Sequence, residues 1–208
     1  MNSSIIYCIG FLAQLLFSTR LIVQWVSSEK HKKVSTNALF WKLSLIASFL
    51  LFIYGFLRND FSIMLGQIIT YFIYIRNLHL QKEWQKTPKA IQLFILFFPL
   101  ILSVYFFFYR ETSYNFDLLF LNQDIPSPLL IWGIIAQLIF TFRFIYQWLY
   151  SEKKKESSLP LGFWILSLIG SSMILIYAII RKDPVLFIGH IMGIFIYSRN
   201  LVILKKQS

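Results

Sequence analysis

Seven stretches of about 20 mainly apolar residues follow one another along the chain, each long enough for a helix to cross the roughly 30 Å hydrocarbon core of a bilayer. They lie at about 5–27, 37–57, 61–80, 90–109, 129–150, 161–180 and 184–204. Hydrophobic residues make up 57% of the 208 residues and charged residues only 14%, against roughly a quarter in soluble domains. The sequence therefore predicts an all-α integral membrane protein with seven transmembrane helices.

Basic residues are concentrated on one side of the predicted membrane. The loops at 28–36, 81–89 and 151–160, with the adjoining helix ends and the C-terminus, hold 14 Lys and Arg residues, whereas the opposite side holds 4. Because Lys and Arg accumulate on the cytoplasmic side of membrane proteins, we expect the N-terminus outside and the C-terminus in the cytoplasm. The basic excess on this side then faces anionic lipid headgroups, so the net charge of +11 requires no nucleic acid partner.

The chain contains an internal repeat. A shift of 123 residues superimposes 10–78 on 133–201 without a gap, with 33 of 69 positions identical. Each copy contains three predicted helices, and the single helix between them makes the two copies parallel. Parallel repeats are known in transporters, where the substrate path lies at the repeat interface, although a duplication that serves packing alone is the alternative. The predicted units are a first three-helix repeat at 1–80, a segment at 81–128 that holds the linker helix (about 90–109) and the external loop, and a second three-helix repeat at 129–208.

The same polar and aromatic positions recur in both copies. They are Gln14, Phe17, Arg20, Gln24, Trp25, Glu29, Trp41, Ser44, Arg76 and Asn77, and in the second copy Gln137, Phe140, Arg143, Gln147, Trp148, Glu152, Trp164, Ser167, Arg199 and Asn200. With these residues each copy resembles the lipid-A-disaccharide synthase N-terminal domain, a family placed in the SWEET and PQ-loop superfamily of triple-helix bundles. The resemblance implies a 3+1+3 fold in the bacterial inner membrane and a role in moving bacterial glycolipids. The proline before the PQ-loop glutamine and the hinge prolines of sugar exporters are missing here, which disfavours a proline-hinged export of free sugars.

Arg20 and Arg143 are the most distinctive polar residues within the predicted spans. Each lies about seven residues, hence roughly 10 Å, from the cytoplasmic end of its helix. An arginine inside a membrane normally faces the protein interior or water, and its planar fork matches phosphate or carboxylate. We predict that both bind a substrate phosphate. The alternatives are snorkelling towards the headgroups, or pairing with Glu29 and Glu152, nine residues further along.

Other repeated residues extend this candidate site. Gln14, Phe17, Arg20 and Gln24 share one helical face of about 120°, which with its second copy predicts a polar wall open to the cytoplasm. The glutamines suit either sugar contacts or interhelical hydrogen bonds, and the tryptophans either sugar stacking or an aromatic belt. The Arg-Asn pairs that close each copy suit either an incoming phosphate or the helix dipole. The predicted phosphate ligands are Arg20, Arg143, Arg76 and Arg199, and the predicted headgroup pathway comprises Gln14, Gln137, Gln24, Gln147, Trp25, Trp148, Asn77, Asn200, Gln67 and His190.

Gln67 and His190 occupy equivalent positions but differ between the copies. Such a position can distinguish the two ends of an asymmetric ligand, and a histidine packed in the core is the alternative.

Enzyme chemistry is not expected from this sequence. It has no carboxylate pair within a span, no metal-ligand spacing, no Gly-rich phosphate loop and no catalytic triad, so we expect no catalytic residue, metal or cofactor. The leading hypothesis is an inner-membrane flippase or transporter for a polyprenyl-phosphate-linked sugar, or a similar anionic glycolipid, in lipid A modification. The alternatives are a SWEET-like facilitative carrier of a small soluble solute and a non-transporting subunit of a lipid A glycosyltransferase, which is then a partner. The sequence leaves the oligomeric state open.

Overall fold

The computed structural model of the chain describes residues 3–34, 36–58, 61–109, 127–182 and 184–206. Throughout these ranges the regular structure is helical, without strands, and the seven predicted helices are confirmed. They are α1 (Ser3–His31), α2 (Ala38–Arg58), α3 (Phe61–Leu80), α4 (Lys89–Tyr109), α5 (Ser127–Lys154), α6 (Leu161–Arg181) and α7 (Pro184–Lys205), with a 3₁₀ turn at Trp84–Lys86. Most of the predicted external loop, residues 110–126, lies outside the described residues.

Helices α1 and α5 extend beyond their apolar runs into the repeated Ser-Glu-Lys sequence, and both end in the same way. Lys32 and Lys155 follow them in the left-handed conformation, with φ of 52° and 56°. The next amide then donates back to the helix, from Lys33 to the Ser28 carbonyl and from Glu156 to the Ser151 carbonyl, each at 3.2 Å. This return bond satisfies a terminal carbonyl and turns the chain towards the next helix at the same point in both copies.

Each copy of the sequence repeat coincides with one three-helix group. Helix α2 packs against α1 and α3, and α6 packs against α5 and α7. At the α5–α6 contact a Cβ added to Gly170 would lie 2.9 Å from the Phe140 backbone, so glycine allows the two helices to approach closely. Helix α4 lies against α2, where Phe49 contacts Phe94 and Phe98 with ring centroids 6.1 and 5.1 Å apart.

The two groups meet along two equivalent contacts, α1 with α7 and α3 with α5. The largest cluster of buried residues spans both groups and includes the fully buried Trp41 and Trp164. Polar side chains are buried here as well, among them Ser44 and Asn77, whereas large apolar side chains such as Phe11 are exposed. Buried polar side chains together with exposed large apolar ones are the distribution expected of a helical bundle surrounded by lipid.

Within the described ranges, three helical stretches are long and apolar enough to cross a membrane: Ile5–His31, Ala38–Leu57 and Leu161–Ile180. They belong to α1, α2 and α6, so both repeats contribute to this set.

Candidate functional site

Helices α1 and α5 place the two predicted arginines in the interior, where Arg20 is 5% exposed and Arg143 is 4% exposed. The Arg20 Nη1 donates to the Ser44 hydroxyl at 2.8 Å and to the Tyr74 hydroxyl at 3.1 Å. The Arg143 Nη1 donates to the Tyr197 hydroxyl at 3.2 Å. The hydrogen bonds of each arginine thus stay within its own repeat, because every hydrogen-bond acceptor lies on the second or third helix of the same group.

Aromatic rings surround both guanidinium groups. The Arg20 guanidinium carbon lies 4.6 Å from the Phe17 ring centre, and that of Arg143 lies 3.4 Å from the Phe140 ring centre. Both also contact the ring of Phe144 on α5, at 5.3 Å from Arg20 and 4.7 Å from Arg143. Cation–π attraction offsets part of the free energy lost on removing each charge from water. The two positive charges therefore flank one phenylalanine at the interface between the repeats.

The hydrogen-bonding capacity of these guanidinium groups is not exhausted. The Nε of both Arg20 and Arg143 is buried without an acceptor. In the part of the chain that the structure describes, neither guanidinium forms an ion pair. Buried charges are normally paired, since an isolated one is strongly destabilising, and a guanidinium fork is matched to phosphate or carboxylate. The arrangement is therefore chemically suited to an anion shared by the two repeats.

Two reciprocal amide pairs join the repeats nearer the C-terminal ends of α1 and α5. The Gln147 Nε2 donates to the Asn77 Oδ1 at 2.8 Å, and the Asn77 Nδ2 donates to the Gln147 Oε1 at 3.1 Å. Gln24 and Asn200 form the equivalent pair at 2.8 and 3.2 Å. All four side chains are fully buried. Of the two roles expected for Gln24 and Gln147, sugar contacts or interhelical hydrogen bonds, the structure shows the hydrogen bonds, because both glutamines are paired with the asparagines of the opposite repeat.

Two ion pairs also cross between the repeats at this end. Arg76 of α3 makes a bidentate contact with Glu152 of α5, at 2.7 Å from Nε and 2.6 Å from Nη2. Arg199 of α7 contacts Glu29 of α1 in the same way, with its Nη2 3.0 Å from the carboxylate. We call these two ion pairs and the two amide pairs the cross-repeat latch. The alternative pairing of each buried arginine with the glutamate nine residues later is not formed, because both glutamates bind other arginines.

The ion pairs of the latch also lower the pKa of the carboxylates that take part in them. Hydrogen bonds from Arg76, and then from Lys155, lower the pKa of Glu152 from 4.5 to about 2. The Lys155 Nζ lies 2.6 Å from the same carboxylate. Glu152 is therefore ionised at any pH near neutrality.

Gln14 and Gln137 do not join the buried group, because both are exposed. Seven residues separate Gln14 from Leu21 and Gln137 from Phe144, which places each pair on nearly the same helical stripe. Phe144 is buried against Tyr74 of the other repeat, with ring centroids 5.4 Å apart. This stripe of α1 and α5 is therefore buried near the arginines. It is exposed about two turns closer to the N-terminal ends of the two helices.

Gln67 and His190 have equivalent partners despite their different chemistry. The Ser48 hydroxyl donates to the Gln67 Oε1 at 3.0 Å, and the Ser171 hydroxyl lies 2.9 Å from the His190 Nδ1. The His190 ring also packs edge-on against Phe140, with centroids 4.9 Å apart. Both residues therefore join the second and third helices of their own repeat, and Phe140 links His190 to the Arg143 surroundings.

The two candidate tryptophans differ in their surroundings. The Trp25 indole donates to the Glu29 carboxylate at 3.2 Å and packs edge-on against Phe195, with centroids 5.5 Å apart. Trp148 is 37% exposed and lines a cavity between α3 and α5. Equivalent residues of the repeat thus have different contacts, since Trp25 packs on a phenylalanine and Trp148 lines a cavity.

Tyr74, Tyr197 and Phe144 are the residues of this site that the sequence reasoning did not single out. The sequence did contain an indication of the two tyrosines. A tyrosine occurs in both copies, two residues before the repeated Arg-Asn pair. Phe144 had none, since its counterpart is Leu21 and neither residue differs from an ordinary apolar helix position. Among the described residues, no three His, Cys, Asp or Glu side chains are grouped as they would be around a metal ion.

Comparison with known proteins places these features in a family context. A family model described as Lipid A Biosynthesis N-terminal domain matches the chain twice, over residues 9–79 and 132–202. The two matches follow the internal repeat, and together they include both buried arginines and the whole cross-repeat latch.

Similar curated proteins are named lipid-A-disaccharide synthase. The protein from Chlamydia felis is 32% identical over 212 residues, those from Chlamydia caviae and Chlamydia pneumoniae are 30% and 29% identical, and each match covers 98% of this chain. The chain spans about a third of the length of these relatives, 34% in each case. No solved structure matches it.

Proposed function

Because the chain belongs to the Lipid A Biosynthesis N-terminal domain family, we propose that it handles a glycolipid of lipid A biosynthesis in the bacterial inner membrane. In this proposal the two repeats pass the headgroup of a polyprenyl-phosphate-linked sugar, or a similar anionic glycolipid, between them while its tail stays in the bilayer. The observation that carries the proposal is the buried pair Arg20 and Arg143, two cations at the repeat interface with unused donors.

All seven helices cross the membrane in this proposal, with the N-terminus outside and the C-terminus in the cytoplasm. The excess of 14 over 4 basic residues supports that orientation. It puts the cross-repeat latch on the cytoplasmic side, within the basic region that faces anionic headgroups.

The phosphate of the substrate lies between the two guanidinium groups, one from each repeat. There it supplies the counter-charge that the described residues do not provide, and it accepts hydrogen bonds from both forks. Phe144 separates the two arginines, so its side chain turns aside when the phosphate enters. Gln14 and Gln137, on the exposed part of the same stripe, contact the sugar.

The state described here is closed at the latch. Movement of the headgroup between leaflets requires the alternate state, in which the latch separates. Because the latch bonds join one repeat to the other, they can break while each three-helix group moves as a rigid body. Rocking of two repeats about a fixed site is a known transport mechanism, and it needs no helix proline.

A second candidate function follows from the names of the relatives. Since they are named lipid-A-disaccharide synthase, the chain can serve as a non-transporting membrane subunit that holds a glycolipid for a lipid A glycosyltransferase. In that case the arginine pair binds the headgroup without moving it, and the chain catalyses no reaction itself.

Purified protein reconstituted into proteoliposomes tests the transport proposal. The vesicles carry a labelled polyprenyl-phosphate sugar, and the inner-leaflet fraction that becomes accessible to an external quencher is followed. The test variant is Arg20→Met with Arg143→Met. The matched control is Lys30→Met with Lys153→Met, which removes two charges at equivalent exposed positions of the same helices.

We expect accessibility to rise above that of protein-free vesicles, to be lost in the arginine variant and to persist in the lysine variant. Flux that survives in the folded arginine variant would refute the phosphate site. No flux from folded wild-type protein, together with co-purification of a glycosyltransferase, would support the subunit function. Saturable uptake of a free sugar into vesicles without glycolipid would instead indicate the soluble-solute carrier.

A further inference from the structure

A cavity of about 670 Å³ lies between α3 of the first repeat and α5 of the second. Its walls are apolar and are formed by Ile69, Phe72, Ile73, Ile145 and Trp148. Three of these side chains, Ile69, Phe72 and Trp148, are between 37% and 40% exposed, so the cavity is a groove that opens sideways from the bundle. A sideways opening in a membrane-embedded bundle faces acyl chains rather than water.

One end of this groove is charged. Arg76 and Glu152, the ion pair of the latch, complete its lining, and Lys155 lies 2.6 Å from the same carboxylate. Two cations therefore accompany a single carboxylate where the apolar walls end. A site with apolar walls and a net positive end complements an acyl chain that carries an anionic headgroup.

The equivalent position on the other side of the bundle has a direct contact between its two aromatic side chains. There Trp25 packs edge-on against Phe195 at 5.5 Å, and its indole donates to Glu29. The residues at the corresponding positions of the open groove are Trp148 and Phe72, identical in type. The sequence repeat would thus allow two such grooves, and among the described residues the contact between Trp25 and Phe195 bridges the one between α1 and α7.

We propose that the groove between α3 and α5 holds one acyl chain of an anionic lipid, with the lipid phosphate bound by Arg76 and Lys155 at its charged end. This inference rests on the proposed function in that it takes the bundle to lie in a membrane. It adds a lateral lipid site, separate from the buried arginine pair, on one side of the molecule only.

The site also connects lipid binding to the latch. A phosphate on Arg76 competes with Glu152 for the same donors, Nε and Nη2. The bound lipid therefore weakens one ion pair of the latch and leaves the equivalent pair between Arg199 and Glu29 intact. In this way an anionic lipid favours separation of the repeats from the side on which it binds.

Counting retained lipids by native mass spectrometry tests the proposal. Purified protein is exposed to phosphatidylglycerol or to phosphatidylcholine with the same acyl chains. Ile69→Trp fills the groove, and Met192→Trp is its matched control, because the two equivalent residues are 40% and 39% exposed. We expect wild-type protein and Met192→Trp to retain one more phosphatidylglycerol than Ile69→Trp does, and no such difference with phosphatidylcholine. Equal retention by the two variants, or no preference for phosphatidylglycerol, would overturn the proposal.

Tryptophan fluorescence supplies a second measurement that does not depend on filling the groove. Phosphatidylglycerol with brominated chains quenches indoles that lie next to it, and the chain has six tryptophans. We expect Trp148→Phe to remove the largest share of the quenching and Trp25→Phe to change it little. Equal effects of the two substitutions would overturn the one-sided site. Both measurements follow lipid binding rather than flux, so they can be interpreted even if the transport assay is negative. If both measurements fail to show the groove site, the proposed phosphate site at Arg20 and Arg143 is not affected.

Discussion

The reciprocal amide pairs of the latch allow a quantitative prediction. Asn77 and Gln147 exchange two hydrogen bonds across the repeat interface, and both side chains are fully buried. One interhelical hydrogen bond in a membrane contributes about 0.6 kcal/mol on average and up to about 1.7 kcal/mol. Two bonds therefore predict a coupling free energy of about 1–3 kcal/mol between these residues.

A double-mutant cycle measures this coupling directly. The free energy of unfolding is measured in mixed micelles for wild-type protein, Asn77→Ala, Gln147→Ala and the double variant. The single Asn77→Ala change should lower stability by more than the coupling, because the Asn77 Oδ1 also accepts a hydrogen bond from the Ser157 hydroxyl at 2.8 Å. The cycle removes that additional contribution, since it is the same whether or not Gln147 is present.

The control cycle combines Asn77→Ala with Gln24→Ala, which belong to different pairs. Their effects should add to within about 0.5 kcal/mol, as expected for residues that share no partner. The Asn200 and Gln24 cycle should reproduce the Asn77 and Gln147 result, because the geometry of the two pairs is nearly the same. A coupling between Asn77 and Gln147 no larger than that of the control would refute the latch as a structural unit.

Two further predictions concern packing and pH. Gly170→Ala should lower the free energy of unfolding by about 1–3 kcal/mol, because its Cβ would lie 2.9 Å from the Phe140 backbone, although alanine is the better helix former. Equal or higher stability in the same unfolding assay would contradict this contact. The pKa of Glu152 is lowered from 4.5 to about 2, so its ion pair contributes its full stabilisation above pH 4.5 and loses it as the pH falls towards 2. The difference in unfolding midpoint between wild-type protein and Glu152→Gln should therefore be larger at pH 7 than at pH 2.5, and a constant difference would show that the pair contributes nothing.

The helices could be predicted from the sequence because length and composition determine them directly. Each apolar run ends at a basic or polar loop, and the observed helices follow these runs closely, for example Phe61–Leu80 against a prediction of 61–80. Helices α1 and α5 are the main exceptions. They continue to His31 and Lys154, because the left-handed residue that stops them lies beyond the apolar run.

The partners of the polar residues could not be predicted, because the repeat gives every residue two equivalent choices. Arg76 can pair with Glu29 or with Glu152, because these two glutamates occupy equivalent positions of the repeat. Only the packing of α3 against α5 brings Arg76 to Glu152. The difference between Trp25 and Trp148 has the same origin, since identical residue types adopt different contacts on the two sides of the bundle.

The central claim is that Arg20 and Arg143 together bind an anionic headgroup, and direct binding tests it. Detergent-purified protein is titrated with a short-chain phosphoglycolipid, alongside the Arg20→Met, Arg143→Met and Lys30→Met/Lys153→Met variants. We expect saturable binding that weakens at least about tenfold in each arginine variant and is unchanged in the lysine variant, since about 1.4 kcal/mol corresponds to tenfold. Both arginine variants should remain folded, because replacing a buried unpaired charge by an apolar side chain is often neutral or stabilising. Unchanged affinity in either folded arginine variant would contradict the account.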